Sequence, residues 1–300
     1  MAKSRKVAFG RINRRNQTVQ MRPFRDDILD LAASKKTSIE FKASAGKPAR
    51  TWHAADMQIV VNGRFAIGVL GYAVSEEKRR FDQENFSWVK GETEFSDAAS
   101  EDTVVPFAID LNEHSRYVAV ATSGRVQAYS AMVNLGRVLN RAAHDIGLLP
   151  AEWECDVVVT EASIHKWLEQ HPKVRQMRRT IKFTNPGRNL DDDRSEMTAL
   201  HANRKTEEFT AGYNKQLDVH SPVFLELLHG VETGDLEIYL EARLDGSGKA
   251  EFNSNEGADK VLVPDFGTDL ERGMDLVQTA LAGYVARMSG ENGQDGLWSD

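Results

Sequence analysis

Two stretches of the chain concentrate side chains that can hold a polyanion. Residues 1–25 carry Lys3, Arg5, Lys6, Arg11, Arg14, Arg15, Arg22 and Arg25 with no acid, and residues 166–188 carry Lys166, Lys173, Arg175, Arg178, Arg179, Lys182 and Arg188 against Glu169 alone. Cations at that density displace the counterions condensed on nucleic acid, and they position the partner without reading its bases. Lys173, Arg175, Arg178, Arg179, Lys182 and Arg188 are therefore read as DNA contacts. Arg11, Arg14 and Arg15 are accessory, because basic termini are common. Later in the chain, Arg243 offers a separate phosphate contact and Tyr239 a surface on which a base can stack. The competing reading is that these cations are solvated, or that they answer acids elsewhere in the chain. Residues 76–102 hold nine such acids against Lys78, Arg79, Arg80 and Lys90.

Other chemistry finds less support. The eight His are scattered, His165 and His171 flank a helix end without a third ligand, and Cys155 has no second thiol, so no metal site is expected. Cys155 sits in the apolar run ECDVVV and reads as a buried, inert thiol. Asp191 to Asp193 lack the spacing and terminal Glu of a calcium loop and read as an acidic helix start. Glu40 with Lys42, and Glu237 with Glu241, are the nearest fragments of a metal-dependent nuclease, which is the enzymatic alternative. Strands with one charged face produce Glu-x-Lys by chance. The chain has no Walker loop, dinucleotide glycine motif, nucleophile elbow or His-Glu-x-x-His, so a non-enzymatic protein without cofactor is expected. A third reading is a scaffold that binds protein through the acidic stretch.

The elements that must position these residues follow from periodicity. Residues 7–12 and 38–43 alternate like strands, and residues 26–36 suit a short helix. Residues 56–61 and 64–74 flank Asn62-Gly63, the strongest hairpin signal in the chain, with Gly68 and Gly71 marking a bulge or a close approach. Residues 75–102 read as a polar excursion and a domain boundary. Residues 104–111 and 117–122 are a strand pair, 126–146 an amphipathic helix ended by Gly147, and 155–160 a buried strand. Residues 163–170 form a helix stopped by Pro172, and 177–183 a strand with one basic face. Asn185-Pro186-Gly187 is a turn, and residues 191–209 read as one helix. Ser221-Pro222 opens another helix, residues 235–244 and 249–252 pair as strands, and 268–288 is a long helix.

Strands and helices are grouped rather than strictly alternating, which predicts an α+β fold with mixed or antiparallel sheets and flanking helices in two domains. The expected division is 1–102 and 103–288, with 103–235 as a mobile unit, 236–288 packing back on the N-terminal part, and 289–300 a polar tail. No apolar run approaches the roughly 20 residues of a membrane span, and no apolar stretch of a secretory signal follows the basic start, so a cytoplasmic location is expected. The net charge of −7 taken alone argues against a polyanion partner. A phosphate feels local charge, however, and the charge here is uneven.

The pattern of hydrophobic and basic positions in VVNGRFAIGVLGYAV (60–74), in residues 104–147, in CDVVVTEASIHKWLEQHPKVRQMRRTIKF (155–183) and in DLEIYLEARLDGSGKAEF (235–252) with the last helix ending YVARM resembles the RexA family of prophage-encoded exclusion proteins. The likeness spans most of residues 57–288 and omits residues 1–56 and the acidic excursion. It implies a cytoplasmic homodimer that binds duplex DNA with little sequence preference. It also implies a sensor role in anti-phage defence, or superinfection immunity, that activates a membrane channel partner without inserting into the membrane itself. Arg243 falls where the family carries a basic residue on the corresponding strand. Where the family has a neighbouring Arg, this chain has Glu241.

Overall fold

The computed structural model describes residues 4–15, 23–34, 37–42, 49–82, 87–95, 103–113, 115–148, 152–159, 161–182, 191–202, 204–228, 231, 236–244 and 248–289. The fold is α+β, with antiparallel strand pairs in two sheets and helices packed against them.

The larger sheet contains β1 (Ser4–Arg15), β2 (Ser38–Phe41), β3 (Ala49–Val60), β4 (Phe65–Asp82), β5 (Ser87–Phe95), β6 (Val104–Asp110), β7 (Tyr117–Ala121) and β8 (Glu152–Val157). The smaller is built from β9 (Val174–Lys182), β10 (Arg204–Thr210), β11 (Leu236–Arg243) and β12 (Lys249–Asn253), after which β13 (Lys260–Pro264) returns to the larger. The strand orders are β13-β1-β7-β6-β4-β3-β2, with β5 on β4 and β8 on β1, and β10-β9-β11-β12. The helices are α1 (Phe24–Ser34), α2 (Ala128–Asp145), α3 (Glu161–Gln170), α4 (Asp191–Ala199), α5 (Pro222–Leu228) and α6 (Leu270–Met288).

Both faces of the larger sheet are covered at its centre. Phe9 stacks on Tyr284 of α6 with ring centroids 4.2 Å apart, while a Cβ on the neighbouring Gly10 would lie 2.8 Å from Met132 Sδ of α2. Successive strand residues point to opposite faces, so α6 and α2 lie on opposite sides of β1. This explains why β6 and β7 are apolar runs rather than alternating ones: nearly every residue along them is buried. Gly147 has a φ of 78° and ends α2 as expected, with its N–H donating to His144 O and that of Leu148 to Ala143 O. Cys155 is buried against Met132, the inert setting its sequence suggested.

The Asn62-Gly63 hairpin forms as read, with φ of 54° and 82° at those residues. Gly68 faces the irregularity in β3 between Ala55 and Gln58, where Asp56 takes a φ of 53°, and a Cβ on Gly68 would stand 2.9 Å from Ala55 O. Residues 75–102 correct the expectation of an irregular excursion. There β4 continues to Asp82 and β5 pairs back on it, with Ser75 opposite Phe95 and Phe81 opposite Trp88. Aromatic residues interleaved with charges suit strand pairing, and the charge count obscured them.

The expected division at 102/103 falls inside the larger sheet, because β6 pairs with β4 from Phe65↔Asp110 to Gly71↔Val104. The apolar cores divide the chain elsewhere. Val158 belongs to the first core and Val159 to the second, while Phe252 packs on the second and Ala258 lies in the first. Thus β11 and β12 belong with β9, while β13 and α6 pack back on the larger sheet. The tail (290–300) and the Asn185-Pro186-Gly187 turn lie outside the described residues.

The single helix expected over 191–209 is also corrected. The chain leaves α4 at Ala199, His201 takes a φ of 52°, and β10 pairs with β9 in an unbroken register from Arg204↔Lys182 to Thr210↔Gln176. The acidic start favours helix locally, but the β9 edge supplies hydrogen-bond partners that residues 204–210 satisfy only as a strand.

Candidate nucleic-acid interface

The smaller sheet has one covered face. Along β11 the burial alternates, with Leu236, Ile238, Leu240 and Ala242 inside and Glu237, Tyr239, Glu241 and Arg243 outside. Ile164 and Leu168 of α3, Met197 of α4, and Phe224 and Leu228 of α5 complete the core beneath it. The opposite face is polar, and the register assigns the basic residues of β9 to one side or the other.

Arg178 pairs with Tyr239 and is exposed, whereas Arg179 pairs with Ile238 and faces the covered side. The expectation of one basic face therefore fails at Arg179. Its side chain is 11 % exposed, with Nε 2.5 Å from Glu207 Oε2 and Nη2 3.4 Å from Asp193 Oδ2. Lys205 joins the same cluster through Asp193 at 2.7 Å and Glu196 at 2.6 Å. The hydrogen bonds that Lys205 donates to Asp193 and Glu196 hold its ammonium above its ordinary pKa. Burial would raise the Glu207 pKa, but hydrogen bonds from Arg179 and Lys205 hold it below the usual carboxylate range. Arg179 thus clamps α4 to the sheet and is removed from the contact surface. Asp193, in the first turn of α4, serves this clamp.

At the far end of β9 the register shifts. Glu241 faces Gln176 and Ala242 faces Val174, leaving Arg175 as the extra residue of a bulge. Bulges re-aim side chains. The loop after β10 is pinned over it by Ala211 N–H to Arg175 O at 2.8 Å and Leu217 N–H to Val174 O at 2.8 Å. Arg175 also donates from its guanidinium to Lys215 O, and Asn214 takes a φ of 55°. Next to the bulge, Arg243 N–H donates to Lys173 O at 2.9 Å. The result is a cleft of about 630 Å³ lined by Lys173, Arg175, Asn214, Lys215, Gln216 and Arg243. Four of these six residues are cations and none is an acid.

Lys173, Arg175 and Arg243, separated by as many as 70 positions in sequence, are thereby brought together. Lys215 completes the set and was not singled out from sequence, because it lies alone in a polar stretch, GYNKQL, with no neighbouring cation.

The middle of the same face is different. The Arg178 guanidinium lies over the Tyr239 ring, 5.1 Å from its centroid. The Tyr239 hydroxyl donates to Glu241 Oε2 at 3.3 Å, and burial, reinforced by Glu251 and Glu241, pushes its pKa up. Lys249 bridges Glu241 and Glu251 at 3.2 and 2.5 Å. A second cleft, of about 310 Å³, is lined here by residues that include Arg178, Arg204, Glu237, Tyr239, Asn253 and Asn255.

Of the remaining candidates, Lys182 is placed by register opposite Arg204, and Arg188 lies outside the described residues. Arg11 lies within the larger sheet, 9 % exposed and with its guanidinium 5.8 Å from the Tyr117 centroid, a position that takes it out of the contact set. Arg14 and Arg15 pair in register with Trp153 and Glu152 on β8. Glu40 is on β2 opposite Thr51, whereas Glu237 and Glu241 are on β11 of the other sheet. Among the described residues no group of three or more His, Cys, Asp or Glu could hold a metal ion, and no helix is long and apolar enough to cross a membrane. His171 stacks on Trp167 at 4.8 Å, with its Nδ1 3.1 Å from Trp167 O. Comparison with known proteins gives no match to any family model and none among curated proteins.

Proposed function

We propose that this protein binds DNA through its phosphate backbone, with little sequence preference, using the cleft at the bulged end of β9. The observation that carries this reading is the lining of that cleft, four cations without an acid on a chain whose net charge is −7. Arg and Lys so placed neutralise phosphates and carry no base information. Lys173, Arg175, Lys215 and Arg243 are the contacts, and Arg178 borders them further along the sheet. The resemblance to the RexA family extends the proposal to a sensor of phage infection that acts as a homodimer with a membrane channel partner.

Mobility shifts at low salt on duplexes of unrelated sequence test the reading. Wild-type protein is expected to retard all of them comparably, and Arg175→Ala, Lys215→Ala and Arg243→Ala each to weaken binding on every sequence alike. Retardation of one sequence only, or unchanged affinity in all three variants, would remove the cleft from the DNA-binding surface.

A further inference from the structure

We propose that the cleft beside Arg178 and Tyr239 is a pocket for one unpaired base of the strand whose backbone the Arg175 cleft holds. The inference rests on the DNA reading above and adds the form of DNA that the face accepts. Tyr239 and Arg243 occupy the same face of β11, four residues apart, which places the two clefts roughly 13 Å from one another along the strand. The two clefts differ in chemistry. The charged residues lining the Arg175 cleft are all cations, while the Tyr239 cleft sets Glu237 beside Arg178 and Arg204 and has Glu241 and Glu251, bridged by Lys249, next to the Tyr239 hydroxyl.

Those carboxylates can accept hydrogen bonds from the amino groups of a base edge, which a phosphate lacks. The side-chain amides of Asn253 and Asn255 add groups that both donate and accept. The Arg178 guanidinium over the Tyr239 ring sets a cation beside an aromatic face, and bases stack on aromatic rings and on guanidinium planes. A volume of about 310 Å³ is at the small end for ligand clefts and suits a single base. In a duplex each base is held in the stack and cannot enter such a pocket. The face therefore favours single-stranded or frayed DNA over intact duplex.

Fluorescence anisotropy with a labelled single strand and a duplex of the same length and mixed sequence tests this on the full chain. Wild-type protein is expected to bind the single strand more tightly. Tyr239→Ala is expected to lower the ratio of single-strand to duplex affinity by about tenfold, the size of a lost base–aromatic stack. Asn255→Ala, a milder change at the pocket's edge, is expected to lower it several-fold, and Tyr239→Phe to keep it. If duplex binds as tightly as single strand, or if both alanine variants leave the ratio unchanged, the base pocket is wrong while backbone binding stands. If wild-type protein binds neither form at low salt, the DNA reading itself fails.

Discussion

At the scale of single residues, the central distinction is between Arg178 and Arg179, adjacent in sequence and assigned by the pleat to opposite faces. Arg179 is held by Glu207 and Asp193, so Arg179→Met is expected to reduce unfolding free energy by about 1–3 kcal/mol, the cost of leaving partly buried carboxylates short of a charged partner. DNA affinity is expected to stay within twofold. Denaturant unfolding and anisotropy on the same preparation separate the two effects. Glu207 adds a pH dependence with a defined sign. Its folded-state pKa is depressed, so its contribution is complete above the unfolded carboxylate pKa and is lost as the pH falls through the lower folded value. Unfolding measured from about pH 6 down to about pH 3 should show a steeper loss for wild type than for Glu207→Gln.

At the scale of elements, close packing of helices on the larger sheet is the vulnerable feature. A Cβ on Gly10 would collide with the Asp156 carbonyl oxygen of β8 and lie 2.8 Å from Met132 Sδ of α2. Gly10→Ala is expected to destabilise the fold by about 1–3 kcal/mol, as overpacking does, and thermal melting would register it. Most of the elements were legible because their periodicity is local: the Asn62-Gly63 hairpin, α2 with its Gly147 stop, the Ser221-Pro222 start of α5, the alternation of β11 and the long α6. Two of the misses share a cause. Residues 204–210 and β13 have weak patterns of their own and become strands through pairing with β9 and β1, partners distant in sequence. The cationic cleft was legible as charge but not as a site. Arg175 joins Arg243 and Lys215 only through a bulge and a pinned loop, neither of which leaves a local signature.

At the scale of the whole molecule, an acidic chain can bind a polyanion if its cations are gathered and its acids are occupied or turned elsewhere. Both conditions hold around the smaller sheet. Arg179 and Lys205 are consumed by the α4 clamp, Lys249 bridges Glu241 and Glu251, and Lys173, Arg175, Lys215 and Arg243 share one cleft. The measurement that addresses this most directly is the salt dependence of duplex affinity for wild type and for the Arg175→Ala/Arg243→Ala double variant. For wild type, log K should fall linearly with log salt, and the double variant should bind more weakly with a slope shallower by about 2, roughly one for each lost phosphate contact. A wild-type affinity that does not change with salt, or a double variant with the wild-type slope, would contradict a phosphate-binding cleft at the end of β9.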